Sequence, residues 1–92
     1  MGRKIAETFH PSFSIVEGVE SREWTQVEFA RRLGISAQYA NDLLHAKRGI
    51  SPRIAVALEH AGMGSAEYWL KMQASYDLSL YRSILRARKE AL

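Results

Sequence analysis

Cysteine is absent from the 92 residues, so the sequence holds no disulfide framework, no thiolate zinc site and no cysteine nucleophile. Uninterrupted apolar runs last only a few residues, far short of the ~20 that a membrane-spanning helix needs. The opening MGRKIAETFHPSF alternates apolar and polar residues after Arg3 and Lys4 and has no apolar stretch of signal-peptide length. A cytoplasmic protein with no membrane partner is expected. The three histidines, His10, His45 and His60, fall at no metal-ligand spacing, and the serines do not combine with a histidine and an acid into a catalytic set. No metal, no cofactor and no enzymatic activity are expected. The length is that of one unit without separate catalytic and substrate domains, so a small-molecule substrate is not expected either.

What the chain does have is ordinary globular composition, 47% hydrophobic and 25% charged, with a modest net charge of +3. That charge permits a nucleic-acid partner without establishing one. Its distribution says more: eight of the thirteen Lys and Arg residues, but only four of the ten Asp and Glu residues, lie from Lys47 onward. The acids Glu7, Glu17, Glu20 and Glu23 cluster early in the chain.

Helix punctuation recurs along the sequence: a turn, then Ser or Thr, then a stretch of apolar residues at helical period. Thr25 followed by Glu28 reads as a capping box, with Trp24 and Phe29 as its hydrophobic staple, and Gly34 stops that helix after Leu33. Ser36 opens a second helix over Ala37 to His45, with Ala40, Leu43 and Leu44 facing inward. Ser51-Pro52 starts a third, with Ile54, Ala55, Ala57, Leu58 and Ala61 inside and Gly62 at its end. Ser65 caps a last helix in which Trp69, Met72, Tyr76 and Leu80 continue in register toward Ile84 and form core and dimer surface. Before all of these, His10-Pro11-Ser12 begins a shorter helix with Phe13, Ile15, Val16 and Val19 as core candidates, and Gly18 within it costs ~1 kcal/mol relative to alanine. The expected fold is all-α with five helices and an extended C-terminal helix: a flexible tail over residues 1–9 and a single domain over 10–92.

The segment TQVEFARRLGISAQYANDLL has the layout of a helix-turn-helix spanning about 25–46. Ala30 is small where the helices cross, Gly34 makes the turn, Ile35 plugs the core beneath it, and Ala40 and Leu43 seat the second helix on the first. Such a unit presents Ala37 to His45 as a ridge that fits the major groove. This stretch resembles the lambda-repressor-like (XRE or Cro/cI) DNA-binding domains. With His10-Pro11, the connection Lys47-Arg48-Gly49-Ile50-Ser51, Glu67-Tyr68-Trp69-Leu70, Gln73 and Tyr76-Asp77-Leu78, roughly His10 to Leu80 is similar to the HigA (VapI-like) antitoxins of type II toxin-antitoxin modules. Three departures stand out: Ser12-Phe13 in place of the usual Gly-Glu, Ala46 in place of a usual glycine, and a tail to Leu92 without shared pattern.

Ser36, Ala37, Gln38, Asn41 and His45 lie on the face of the recognition helix not needed for packing and are the candidate base readers. Gln38 can pair bidentately with adenine, whereas Ala37 can meet only a thymine methyl. Asn41 has two readings, adenine or phosphate. Asp42 either accepts from cytosine or pairs with a nearby arginine, and Tyr39 either bonds a phosphate or is partly buried. Lys47, Arg48 and Arg53 flank the recognition helix as a phosphate clamp. The resemblance implies that Gln26 binds phosphate and braces Gln38 or its neighbours; otherwise it is a solvated first-turn residue. Arg31 and Arg32 face either phosphate or Glu28.

The resemblance also implies a homodimer on a palindromic operator, repressing its own operon, and neutralisation of a HigB-like toxin, a RelE-like ribonuclease that cuts mRNA on the ribosome. Such toxins are basic, which makes Glu17, Glu20 and Glu23 a candidate docking surface. A phage-type or chromosomal repressor with no toxin partner shares every DNA-binding feature. A pure interaction module that keeps the helix-turn-helix only as scaffold is the third reading.

Overall fold

The computed structural model describes residues 9–91; the expected tail falls outside these except for Phe9, as does Glu7. Five helices follow one another without strands among the described residues: α1 (Ser12–Ser21), α2 (Gln26–Leu33), α3 (Ala37–Leu44), α4 (Pro52–His60) and α5 (Ala66–Ala91). This is the expected all-α, five-helix fold with an extended last helix. The starts of α2 to α5 are fixed locally, each by a hydroxyl that accepts an otherwise unpaired first-turn amide. Thr25 Oγ1 takes the Glu28 N–H at 3.1 Å and Ser36 Oγ the Tyr39 N–H at 3.0 Å. Ser51 Oγ takes the Ile54 N–H at 3.3 Å, and Ser65 Oγ the Tyr68 N–H at 3.0 Å.

One half of the expected capping box is missing. The Glu28 carboxylate does not return to the Thr25 amide; it bonds Arg31 at 2.6 and 3.1 Å and Arg32 at 2.6 Å. Two guanidinium groups three and four residues on outbid one neutral amide, because both the charge and the helical spacing favour them. This also places Arg31 and Arg32, left open between phosphate and Glu28, on Glu28. Trp24 packs against the buried cluster that contains Phe29, and the Arg32 guanidinium lies 4.4 Å from the centre of its ring.

The core gathers Ile15 and Val19 from α1, Phe29, Ala30 and Leu33 from α2, Ala40 and Leu43 from α3, Ile54, Ala55 and Leu58 from α4, and Trp69 from α5, with Ile50 and Met63 from the connections. Ala57, Ala61, Leu44, Ile35 and Met72 sit at its edge. Phe13 departs from expectation: it is 60% exposed, and its ring lies 5.0 Å from that of Phe9. Gly18 has a positive use. A Cβ at this position would stand 2.8 Å from the Met63 terminal methyl, which would have to turn aside.

Helix α1 starts differently from the others. The His10 imidazole accepts the Ser12 N–H through Nδ1 at 3.0 Å, with its ring edge-on to Tyr76 at 4.9 Å and Pro11 fully buried behind it. Burial pushes the His10 pKa below its ordinary 6.5, against the opposing pull of the Asp77 carboxylate. A ring nitrogen that accepts an N–H carries no proton, so this bond requires the tautomer protonated on Nε2.

Helix α5 continues past Ile84 to Ala91, 26 residues in all, or about 39 Å of helix. It gives the molecule its long dimension of 48 Å against 27 and 20 Å. Trp69 is buried and donates its indole N–H to the Met63 carbonyl at 3.0 Å, while Met72 and Tyr76 are half-buried. Leu80, expected to belong to core or dimer surface, is no part of the core in the single chain at 40% exposure. Leu78, Tyr81, Ile84 and Leu85 are exposed with it, because the helix has by then run past the body it packs on. No helix among the described residues is long and apolar enough to cross a membrane.

Candidate nucleic-acid interface

Helices α2 and α3 pack on each other, and the turn between them begins at Gly34, whose φ of +69° lies in the left-handed region. Glycine enters that region without steric cost. Burial of Ala40 and Leu43 sets the rotation of α3, and the helical period then turns Gln38 and His45 outward, flanked by half-buried Asn41 and Asp42. Ser36 and Ala37, at the start of the helix, are exposed as well. Of the five candidate base readers, Gln38, Asn41 and His45 thus lie on the side of α3 away from Ala40 and Leu43, while Ser36 and Ala37 stand at its N-terminal end. The Ser36 oxygen is occupied by its cap bond, which leaves its hydroxyl proton to donate. His45, the residue closing α3, places Nδ1 2.8 Å from the Asn41 carbonyl, an arrangement that suits an Nδ1–H donor and leaves Nε2 as an outward acceptor.

Gln26 reaches the Ala37 carbonyl with Nε2 at 3.5 Å, a long bond from the start of α2 to the start of the recognition helix. Its contact is with the neighbour of Gln38, not with Gln38 itself. Gln38 instead donates its Nε2–H to Asp42 Oδ1 at 2.9 Å. Asp42 also faces Arg48, whose Nε lies 3.8 Å from Oδ2, so the arginine-pairing alternative for Asp42 is the one the structure adopts. The Arg48 guanidinium lies over the half-buried Tyr39 ring, 3.9 Å from its centre. A cation at that distance is attracted by the ring face. Arg48 is therefore held against α3 by Tyr39 and Asp42 together.

Lys47 and Arg53 are exposed and make no ion pair among the described residues. Arg53 occupies the second position of α4, next to amides at the positive end of the helix dipole. The turn that carries Lys47 is unusual: Ala46 has a φ of +61°, and the Lys47 N–H closes onto the Asp42 carbonyl at 2.8 Å.

One contributor had no role assigned from sequence. Gln73, on α5, accepts the Ile50 N–H through Oε1 at 2.8 Å and donates Nε2–H to Asp77 at 3.0 Å. A Cβ on Gly49 would lie 2.9 Å from the same amide nitrogen. The basic connection after α3 is thereby fastened to the long helix. An apolar-floored groove of about 540 Å³ lies apart from this surface, lined by Phe9, His10, Phe13, Tyr68 and Met72 among others, with Glu17 and Lys71 at its polar margin. Glu20 and Glu23 are exposed nearby in sequence, and Glu23 has a left-handed φ of +58° in the turn after α1.

The helix-turn-helix family profile matches residues 17–62, which hold α2, the turn, α3 and α4, and this chain belongs to that family. Within it, the architecture is that of the HigA-type antitoxins. An antidote protein of a plasmid maintenance system from Nostoc punctiforme superposes with a TM-score of 0.85 at 25% identity, covering 90% of this chain and 91% of that one. The antitoxin HigA of Pseudomonas aeruginosa, solved with the higBA promoter, superposes with a TM-score of 0.83 at 27% identity over 91% and 92% of the two chains. By sequence, virulence-associated protein A' of Dichelobacter nodosus is 34% identical over 71 residues, 76% of this chain. The chain spans 62% of that relative's length.

Proposed function

We propose that this chain is an antitoxin and transcriptional regulator, with no enzymatic activity, that binds operator DNA through α3 and represses its own toxin-antitoxin operon. The observation that carries the reading is the placement of Gln38, Asn41 and His45 on the side of α3 away from the core, with Lys47 and Arg48 in the turn that follows and Arg53 exposed in the first turn of α4. The promoter-bound Pseudomonas aeruginosa relative supports the same assignment. In this reading Ser36, Ala37, Gln38, Asn41 and His45 read base edges while Gln26, Tyr39, Lys47, Arg48 and Arg53 hold phosphates.

One recognition helix reads too few base pairs for a selective site, so the proposal includes a two-fold dimer on a palindrome. The unpartnered apolar side chains of Leu78, Leu80, Tyr81, Ile84 and Leu85 on α5 support a dimer contact there. Direct binding of a basic HigB-like ribonuclease toxin is the second half of the function, with Glu17, Glu20 and Glu23 as its docking acids. Co-expression with the product of the neighbouring reading frame, followed by co-purification and a DNA shift with and without that product, tests both halves. Failure to retain the neighbour leaves a repressor without a toxin partner; absence of any shift removes the regulator.

A further inference from the structure

An acid on a recognition helix is costly beside phosphates, yet Asp42 stands half-buried on α3 one turn after the exposed Gln38. Its position is occupied by two contacts at once: Gln38 Nε2 at 2.9 Å and Arg48 Nε at 3.8 Å. Arg48 offsets the carboxylate charge locally, and the Tyr39 ring holds Arg48 in place at 3.9 Å. The remaining consequence falls on Gln38.

We propose that Asp42 is a specificity-determining residue that orients the Gln38 amide and thereby makes it select adenine over guanine; this rests on the DNA-binding reading above. An ionised carboxylate can only accept hydrogen bonds, so whichever way Gln38 approaches it, the amide nitrogen must face Asp42 and Oε1 must face away. One of the two Nε2 hydrogens is then spent. What Gln38 offers to a base is one acceptor, Oε1, and one donor, the second Nε2 hydrogen. Adenine presents the complement in the major groove, the N6 donor beside the N7 acceptor, whereas guanine presents two acceptors, N7 and O6. A freely rotating glutamine can turn both amide hydrogens toward guanine; one tied to Asp42 cannot. Asp42 touches no base in this scheme and acts through Gln38.

The test is site selection from an operator randomised at each recognised position, with the full-length protein and its Asp42→Asn, Asp42→Ala and Asp42→Glu variants, each first checked for native helicity and cooperative melting. The wild type is expected to prefer adenine over guanine at the Gln38 position by ~10-fold or more, the scale of one bidentate contact. Asp42→Asn, which can accept or donate and so permits both amide orientations, is expected to lose most of that preference, to about 3-fold or less. Asp42→Ala should behave likewise, while Asp42→Glu, which keeps an acceptor-only group, retains the preference. A uniform gain in affinity for Asp42→Asn and Asp42→Ala at unchanged base preference would overturn the proposal and leave Asp42 as a charge partner of Arg48 alone. Wild-type protein that selects no sequence removes the DNA-binding reading and this inference with it, an outcome distinguishable because the variants then play no part.

Discussion

The Gln73 side-chain oxygen accepts the Ile50 N–H across 23 positions of sequence, at 2.8 Å, and so joins the connection after the recognition helix to α5. Ile50 is itself in the buried cluster, where an amide without a partner costs about 1–3 kcal/mol. Gln73→Ala is expected to destabilise the fold by about that amount in denaturant melts. Gly49→Ala, whose new methyl would crowd Gln73 at 2.9 Å, should lose the same bond. The double variant should therefore be less destabilised than the sum of the two singles, and strict additivity would contradict the shared contact.

Ala46 carries the left-handed φ of +61° that the turn after α3 requires. A Cβ in that region costs roughly 1–2 kcal/mol, from which glycine's greater unfolded-state freedom subtracts ~0.4–1. Ala46→Gly is expected to stabilise the protein by about 0.5–1 kcal/mol, seen as a higher melting temperature. A lower one would show that the turn is not strained at Ala46.

The Glu28 carboxyl is held to about 2 by hydrogen bonds from Arg31, the larger effect, and Arg32. Its folded pKa lies below the ordinary 4.5, so its contribution is complete above that ordinary value and is lost as pH falls from about 4.5 to about 2. The group is at the surface and screened by salt. In acid titrations of stability the wild type should exceed Glu28→Gln by a constant margin above about 4.5, and that margin should shrink as pH falls through the window and be smaller at high salt; identical curves would remove the ion-pair cluster from the account.

His10 works in the same direction for a different reason. Its neutral form accepts the Ser12 N–H, and burial lowers its pKa from 6.5. Its contribution is then present above 6.5 and lost as pH falls through the lowered folded value. An NMR titration of the His10 ring should give a midpoint below 6.5 with loss of protection of the Ser12 amide in the acid form. A midpoint at or above 6.5 would contradict the acceptor role.

The proposed toxin surface is tested by reversing charge at Glu17, Glu20 and Glu23 together. Affinity for a basic partner should fall and its association rate should lose its salt dependence. Unchanged affinity would move the docking site elsewhere, with the groove between Phe13 and Tyr68 the next surface to examine.

Helix starts and the inward faces of α2 to α4 were readable in the sequence because they depend on neighbours within four residues: Thr25, Ser36, Ser51 and Ser65 each cap locally. The elements that escaped are those in which several partners compete or the partner is distant. Glu28 had an amide and two arginines within reach, and the arginines took it. Phe13 has core-like chemistry, but α1 turns Ile15 and Val19 inward and leaves Phe13 outside. The helical period of α5 continued without a break, so the point at which its apolar face leaves the body depended on the size of that body. The exposure of Gln38 and His45 on α3 was legible from the helical period; the pairing of Gln38 with Asp42 and the support from Gln73 were not, since spacing shows proximity without showing which bond forms.

Footprinting on the DNA upstream of the chain's own reading frame, at graded salt, tests the central claim most directly. The account predicts a protected palindrome with half-sites about one helical turn apart. Gln38→Ala should lose about 1–3 kcal/mol on that site with relaxed specificity, and Lys47→Ala should weaken all sequences and flatten the salt slope by about one. No protected palindrome at any salt would contradict it.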